Sequence, residues 1–273
     1  MRIVNLVENT AGREGCGIEH GLSFYIQTER HRILMDTGAS SLFSENAVVC
    51  GVELGKVDTI ILSHGHYDHG GGILKAASLS PAANIYIQET AFEPHFSLHD
   101  DGTAHDIGID PEIKGLSGLH ILKGDYRIDD ELSLYTGVAE RILWPAGNRN
   151  MRVGTPQGKQ DLFKHEQYLV VKNEGKVILF SGCAHNGIIN ILRRFRELYG
   201  KWPDAVISGF HMMRSRPLHL DELEDIRSTG EILKKLPVRL YTGHCTGSEA
   251  YLLLRNILGD QIQYTHCGEE VDI

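Results

Sequence analysis

Residues 57–72 constrain this chain more than any other stretch, because an apolar run there ends abruptly in a cluster of ligand-type side chains. After its Asp, Val57–Ser63 is nearly all apolar, as expected of a strand covered on both faces. It passes without a spacer into His64, His66, Asp68 and His69, and then Gly70, Gly71 and Gly72. In an extended exit, residues two apart point the same way, so His64 and His66 present their imidazoles to one point. Asp68 and His69 fall on the following turn, which the glycines let close tightly. Zinc and related ions take neutral imidazole nitrogen and carboxylate oxygen, and four such groups within six residues supply half or more of a binuclear site. A His-rich surface loop is the bland alternative, but such loops rarely sit between a buried strand and three glycines.

The remaining pattern is that of a layered α/β protein. Arg2–Glu8, Leu22–Thr28 and Arg32–Asp36 read as strands, with a helix over Ser40–Cys50. Ile85–Gln88, His120–Leu122 and Leu132–Thr136 read as further strands. Glu93–Gly108 and Pro145–Gln160 are long polar loops suited to a lid or a substrate-facing role. Strands are expected at Tyr168–Lys172, Val177–Ser181, Ala205–Ser208 and Val238–Thr242, with helices at Gly187–Tyr199, Leu220–Leu236 and Ser248–Leu258. Three of these strands run into a Gly followed closely by His185, His211 or His244. Ligands gather beyond the carboxyl ends of strands in such folds, so these histidines are candidates for a common site.

Composition narrows the function. The chain has 273 residues, 41% hydrophobic and 23% charged, which suffices for a sizeable core, and no linker or low-complexity run divides it. One domain over residues 1–273 is therefore expected. A formal charge of −9 argues against a nucleic-acid partner. No stretch approaches the roughly 20 apolar residues of a membrane span, and the N-terminus carries no export-signal pattern, so a cytoplasmic location is expected. Five scattered cysteines are the usage of reduced thiols.

His-x-His-x-Asp-His after a buried strand resembles the signature of the metallo-β-lactamase superfamily. Asp36-Thr37-Gly38 resembles its early acidic motif, and Gly243-His244 its last His. The resemblance implies a four-layer αββα sandwich. Glu8-Asn9-Thr10, Glu19-His20-Gly21-Leu22-Ser23, Gly182-Cys183-Ala184-His185, Gly209-Phe210-His211 and His244-Cys245-Thr246-Gly247 resemble one prokaryotic branch of it. Members of that branch are similar to an enzyme that joins a dihydropterin to ribofuranosylaminobenzene 5'-phosphate, and many are metal-dependent hydrolases.

The resemblance implies one or two divalent ions, with zinc first and iron or manganese as alternatives. His64 and His66 with His185 would hold one ion, and Asp68, His69 and His244 the other. Cys183 stands where many relatives place a bridging Asp. A thiolate can ligate a borderline ion, and a free Cys can equally be a small buried apolar residue. His211 is a candidate proton donor, ligand or substrate-binding group; the alternative is a helix-capping role. Asp36 is expected to accept from a ligand His and set its tautomer, or simply to form a turn. Glu19 and His20 are further possible site residues on resemblance alone, while Tyr67 and Arg141 are candidates for a pocket. His95, His99 and His105, with Asp100, Asp101 and Asp106, read as a solvated loop that could line an entrance. Arg193, Arg194 and Arg196 could meet a phosphate, although a charge run on a helix is usually an exposed face.

These residues point to hydrolysis of a small phosphoester, ester or lactone, with Asp68 and His211 as catalytic residues. The substrate is a small molecule, phosphorylated or pterin-like. The alternative is a transferase joining a dihydropterin pyrophosphate to a ribofuranosylaminobenzene phosphate. A non-catalytic metal-dependent sensor ranks lower, as does a di-iron redox role, which in relatives needs a flavin domain for which no length remains.

Overall fold

The computed structural model describes residues 1–99 and 101–273; Asp100, named above with the loop carboxylates, lies outside the described residues. The chain forms two compact units. The first comprises Met1–Tyr126, Asn150–Gln167 and Thr265–Ile273, and the second Arg127–Arg149 and Tyr168–Tyr264.

The first unit is built on a six-stranded sheet. Its strands are β1 (Arg2–Val7), β2 (Ser23–Gln27), β3 (Arg32–Met35), β4 (Thr59–Ile61), β5 (Asn84–Gln88) and β8 (Leu119–Leu122), adjacent in that order. β1, β2 and β3 pair antiparallel, and from β3 onward the pairing is parallel, with Leu34 opposite Ile60 and Ile60 opposite Ile85. One face of this sheet, including Val4, Leu6, Leu34, Ile60, Ile85 and Ile87, packs with α1 (Leu42–Val49) and α3 (Ile73–Leu79) through Phe43, Ala47, Ile73 and Ala76. Alternate residues Ile3, Ile26, Ile33 and Ile61, on the opposite face, are also at most 1% exposed. This double burial is why the strands read as continuous apolar runs. The short helix α2 (Tyr67–Gly70) begins inside the ligand-type motif.

The two polar segments expected to be loops carry a second, four-stranded antiparallel sheet. It is made from β6 (His95–Leu98), β7 (Ala104–Asp106), β11 (Met151–Val153) and β12 (Lys159–Gln160) in the order β12-β11-β6-β7. Its strands are two to four residues long and its central pairing sets Met151 opposite Ser97. Partners that far apart in sequence leave no local signal, and the strands are too short for alternation to register.

The second unit carries a seven-stranded sheet in the order β17-β16-β15-β14-β13-β10-β9. These strands are β9 (Tyr126–Arg127), β10 (Leu132–Tyr135), β13 (Tyr168–Asn173), β14 (Lys176–Phe180), β15 (Ala205–Ile207), β16 (Arg239–Thr242) and β17 (Ile262–Tyr264). β10, β13 and β14 are antiparallel, and β14 to β17 are parallel. Helix α4 (Ile188–Tyr199) turns Ile188, Ile191, Leu192 and Phe195, a stripe at helical spacing, onto Val170, Leu179 and Val206. It stops at Gly200, which takes the left-handed conformation at φ 71°. Helices α5 (Leu220–Leu233) and α6 (Ser248–Leu258) add Ile226, Leu233, Ala250 and Leu254 to the same core. Helix α5 ends three residues before the expected Leu236. Among the described residues, no helix is long and apolar enough to cross a membrane.

Candidate metal centre

In the first unit the ligand-type residues sit where β3 and β4 end. Their hydrogen bonds are organised by Asp36, which holds φ 59°, a left-handed conformation that Asp tolerates better than most residues. Its Oδ1 accepts the Ser63 backbone N–H at 2.7 Å. Its Oδ2 accepts the Ser63 hydroxyl at 2.7 Å and His69 Nδ1 at 2.6 Å. A carboxylate can only accept, so neutral His69 has its proton on Nδ1 and its lone pair on Nε2. Because the Ser63 hydroxyl gives its proton to Asp36, it accepts from His64 Nδ1 at 2.8 Å, which leaves the lone pair of His64 on Nε2 as well. One acidic side chain thus sets two imidazoles in the tautomer that ligates metal. The four motif residues are buried, with His64 and His69 at 0% exposure, His66 at 4% and Asp68 at 8%. Their rings are close: His64 lies 4.5 Å from His66 and 4.2 Å from His69, centroid to centroid. Burial, and then the neighbouring His165, push the His66 imidazole well below its ordinary pKa, so it is the neutral form that presents itself.

Asp68 Oδ2 stands 3.6 Å from His69 Nε2. Both atoms carry lone pairs, and two acceptors facing each other are reconciled by a cation between them. Ligands about 2.1 Å from a tetrahedral ion are themselves about 3.4 Å apart, so this spacing fits a small divalent metal. The donor set of imidazole nitrogen and carboxylate oxygen suits zinc, iron or manganese.

The glycines matter for approach. A Cβ on Gly65 would lie 2.5 Å from the Ala91 carbonyl oxygen, and one on Gly71 would run into the carbonyl of Ala39. Glu19 uses its carboxylate on the backbone N–H groups of Ala39 and Ser40 and on the Ser40 hydroxyl, bracing the segment after Asp36. His20 is half-exposed with Nε2 3.4 Å from Asp68 Oδ2, while Asn9 Nδ2 lies 3.2 Å from its Nδ1. Tyr67 is exposed.

In the second unit the strand ends bring together another set. His185 Nδ1 donates to Asn148 Oδ1 at 2.9 Å, and Asn148 Nδ2 returns a bond to the His185 carbonyl at 2.7 Å, which orients the amide. His185 therefore keeps its lone pair on Nε2, the same tautomer as His64 and His69. The His211 ring lies 4.1 Å from that of His185. A His211 nitrogen and the sulfurs of Cys183 and Cys245 all lie within 4.8 Å of one another. Burial pushes the Cys245 thiol up, but Cys183, His211 and His244 outweigh it and hold the thiol well below its ordinary value. His244 is 1% exposed. Ala184, His211 and His244 have φ of 55°, 51° and 48°, left-handed conformations that cost of order 1–3 kcal/mol each and cluster at functional sites.

The expectation of a solvated loop at residues 93–108 needs correction. His95 is not in a solvated loop: it is a strand residue at 1% exposure, bonded to Asp161. His99 is exposed just after β6, and His105 is exposed but lies within β7. Arg193 is exposed and pairs with Glu140, Arg194 pairs with Glu197, and Arg196 covers Trp202. Arg141 bonds the carbonyls of Val138 and Glu140. Sequence reasoning did not single out Asn148, Asp161 or His165, and gave Ser63 and Cys245, which stand within its motifs, no role of their own. Ser63 and Cys245 adjoin motif histidines; Asp161 and His165 bond each other four residues apart, but Gly65 for His165, His95 for Asp161 and His185 for Asn148 are too distant in sequence to be paired by inspection.

Comparison with known proteins agrees with this geometry. The family model of the metallo-beta-lactamase superfamily matches residues 16–147. A 7,8-dihydropterin-6-methyl-4-(beta-D-ribofuranosyl)-aminobenzene-5'-phosphate synthase of Methanocaldococcus jannaschii is 30% identical over 98% of this chain and 95% of its own length. An uncharacterised protein of the same organism is 28% identical, covering 98% of each chain. A crystal structure of a metal-dependent hydrolase of the beta-lactamase superfamily superposes with a TM-score of 0.81 at 26% identity, covering 100% of this chain and 99% of the other. Zinc-bound PqqB from Methylobacterium extorquens, at TM-score 0.58 and 12% identity over 100% of both chains, is alike in fold alone. With its strand-end histidines, the Asp36 brace and near full-length similarity to these relatives, the chain belongs to the metallo-beta-lactamase superfamily.

Proposed function

We propose that this protein is a metal-dependent hydrolase of a small phosphoester, ester or lactone. The observation that carries the reading is the pair of facing acceptors, Asp68 Oδ2 and His69 Nε2, 3.6 Å apart, with Asp36 holding the tautomer. The residues proposed as ligands are His64, His66, Asp68 and His69 of the first unit and His185 and His244 of the second, with Cys183 as a further candidate. One or two divalent ions are proposed, zinc before iron or manganese. When bound, such an ion supplies Lewis acidity that makes water a nucleophile near neutral pH. The protein supplies orientation: Asp68 directs the attacking water, Asp36 keeps His69 and, through Ser63, His64 from turning, and His211 gives a proton to the leaving group. His66→Ala and Asp68→Ala should each abolish both metal uptake and turnover on a panel of phosphoesters, esters and lactones. Retained turnover in either variant removes the basis of the reading.

A second reading, a transferase, is favoured by the 30% identity to the named synthase over nearly the whole chain. In it, a dihydropterin pyrophosphate would condense with a ribofuranosylaminobenzene phosphate, with pyrophosphate as leaving group. Incubation with both compounds and product analysis separates the two, since absence of a condensation product leaves hydrolysis standing.

A further inference from the structure

The cysteines of this chain are free thiols, and two of them meet sulfur to sulfur in the first unit. Cys16 Sγ lies 3.7 Å from Cys50 Sγ, although the residues are 34 apart in sequence. A disulfide needs about 2.05 Å between sulfurs, so the two must close by less than about 2 Å. Hydrogen bonds already fasten both ends of the contact. Cys50 caps the C-terminus of α1, its backbone N–H bonded to the Asn46 carbonyl at 2.9 Å. The Gly17 N–H donates to Asn46 Oδ1 at 2.8 Å, and Asn46 Nδ2 returns a bond to the Gly17 carbonyl at 2.9 Å. One side chain of α1 thus pins the residue beside Cys16 a single turn before Cys50. Cys267, a third thiol in this corner, is engaged elsewhere. Its sulfur lies 3.1 Å from the Gly17 carbonyl and 3.4 Å from that of Leu6, and accepts from Asn46 Nδ2 at 3.3 Å.

Access to the two sulfurs is unequal. Cys50 is 2% exposed, whereas Cys16 is half-buried. Burial, and then the Cys16 thiol beside it, push the Cys50 thiol up to about 11, so Cys50 keeps its proton at neutral pH. The sulfur that a dissolved oxidant reaches first is therefore that of Cys16. A reachable thiol in contact with a buried one is the arrangement of an attacking and a resolving cysteine.

We propose that Cys16 and Cys50 are an oxidation site for hydroperoxides, forming a disulfide that locks the segment carrying Glu19 and His20 onto α1. The Cys16 sulfur attacks hydrogen peroxide: the O–O bond breaks, an S–O bond forms, and the departing hydroxide leaves as water with the thiol proton. The Cys50 sulfur then attacks the sulfenic sulfur of Cys16. An S–S bond forms, the S–O bond breaks, and a second water leaves with the Cys50 proton. Two thiols give up two electrons and the peroxide accepts them, so no further reactant is needed. The lock reaches beyond the two cysteines. Glu19, three residues past Cys16, braces the backbone N–H groups of Ala39 and Ser40, and His20 Nε2 stands 3.4 Å from Asp68 Oδ2. Because the sulfurs already touch, oxidation keeps the fold and adds stability by restricting the unfolded chain. None of this depends on the function proposed above.

The test uses the full-length reduced protein, treated with hydrogen peroxide, alkylated after unfolding and mapped by mass spectrometry. The expected product is a pair of peptides joined through Cys16 and Cys50, lighter by two hydrogens and separated by dithiothreitol. The oxidised protein should show a urea midpoint higher than that of the reduced protein by on the order of 0.5–1 M. Cys16→Ser should show neither change, and Cys50→Ser should stop at a sulfenic acid on Cys16 that dimedone captures. The wild-type peptide map needs no variant to fold and decides by itself. Recovery of Cys16 and Cys50 as free thiols overturns the proposal, as does a disulfide from either one to Cys183, Cys245 or Cys267. Cys16 driven on to sulfinic acid overturns it too, since Cys50 would then not be resolving it. A Cys16–Cys50 disulfide with an unchanged urea midpoint refutes the lock.

Discussion

Asp36 shows how much one side chain decides at the residue scale. Its two oxygens accept three hydrogen bonds from Ser63 and His69, so every donor around it depends on a carboxylate that only accepts. An amide in its place would turn an NH2 toward one of those donors and leave a buried bond unmade, at about 1–3 kcal/mol. Asp36→Asn is therefore expected to fold with lowered stability and to bind zinc about 10–100-fold more weakly, read by chelator competition. Unaltered zinc affinity would mean that the tautomers of His64 and His69 are held by something else. Asn148 does the corresponding work for His185 with a neutral amide, whose orientation is secured by its own bond to the His185 carbonyl.

At the scale of elements, the entry of helix α5 is fixed by a charge cluster. Glu222 pairs with Arg214 at 2.8 Å and Arg216 at 2.7 Å, and accepts the His219 backbone N–H at 2.9 Å. Burial pushes its carboxyl up, but Arg216, the His219 N–H and Arg214 together outweigh it and bring it down from 4.5 to about 2. A carboxylate with a depressed folded-state pKa contributes stability that is fully present above its unfolded value and disappears as pH falls through the folded one. The stability difference between wild type and Glu222→Gln should thus be greatest above pH 4.5 and vanish toward pH 2, in urea titrations across that range. A difference independent of pH would assign the effect to packing. The same scale explains the overlooked small sheet. Its β6 and β11 pair across about fifty residues of chain, and neither has the length for a period to be seen.

For the molecule as a whole, metal binding and folding should be linked. The proposed ligands of the first unit come from a single turn, but the atoms that set their tautomers come from Asp36 and Ser63, so the unfolded chain has no comparable site. A ligand that binds only the folded state adds about 2.7 kcal/mol at a hundredfold excess over its dissociation constant. Zinc should accordingly raise the urea midpoint of wild type over that of the chelated protein. It should leave the midpoint of His66→Ala where chelation puts it. Equal midpoints with and without zinc in wild type would be incompatible with a site formed by folding.

From the sequence alone, His64, His66, Asp68 and His69 could be recognised as one cluster, and the α/β layering could be laid out. Both rest on local geometry: the two-residue period of a strand exit, the helical spacing of α4, and glycines where backbones touch. The same reasoning offered Asp36 as an acceptor for a His of the motif, with a simple turn as the alternative, and Asp36 does accept from His69. It misplaced His95 and passed over Asp161, His165 and Asn148. The partners that define their roles lie far off in sequence, Gly65 100 residues from His165, Asp161 66 from His95 and His185 37 from Asn148, and a proton's position on an imidazole depends on which acceptor the fold brings to it. The candidate ligands of the first unit are thus written in short spacings along the chain. Tautomer, burial and the left-handed turns at His211 and His244 exist only once distant segments have packed.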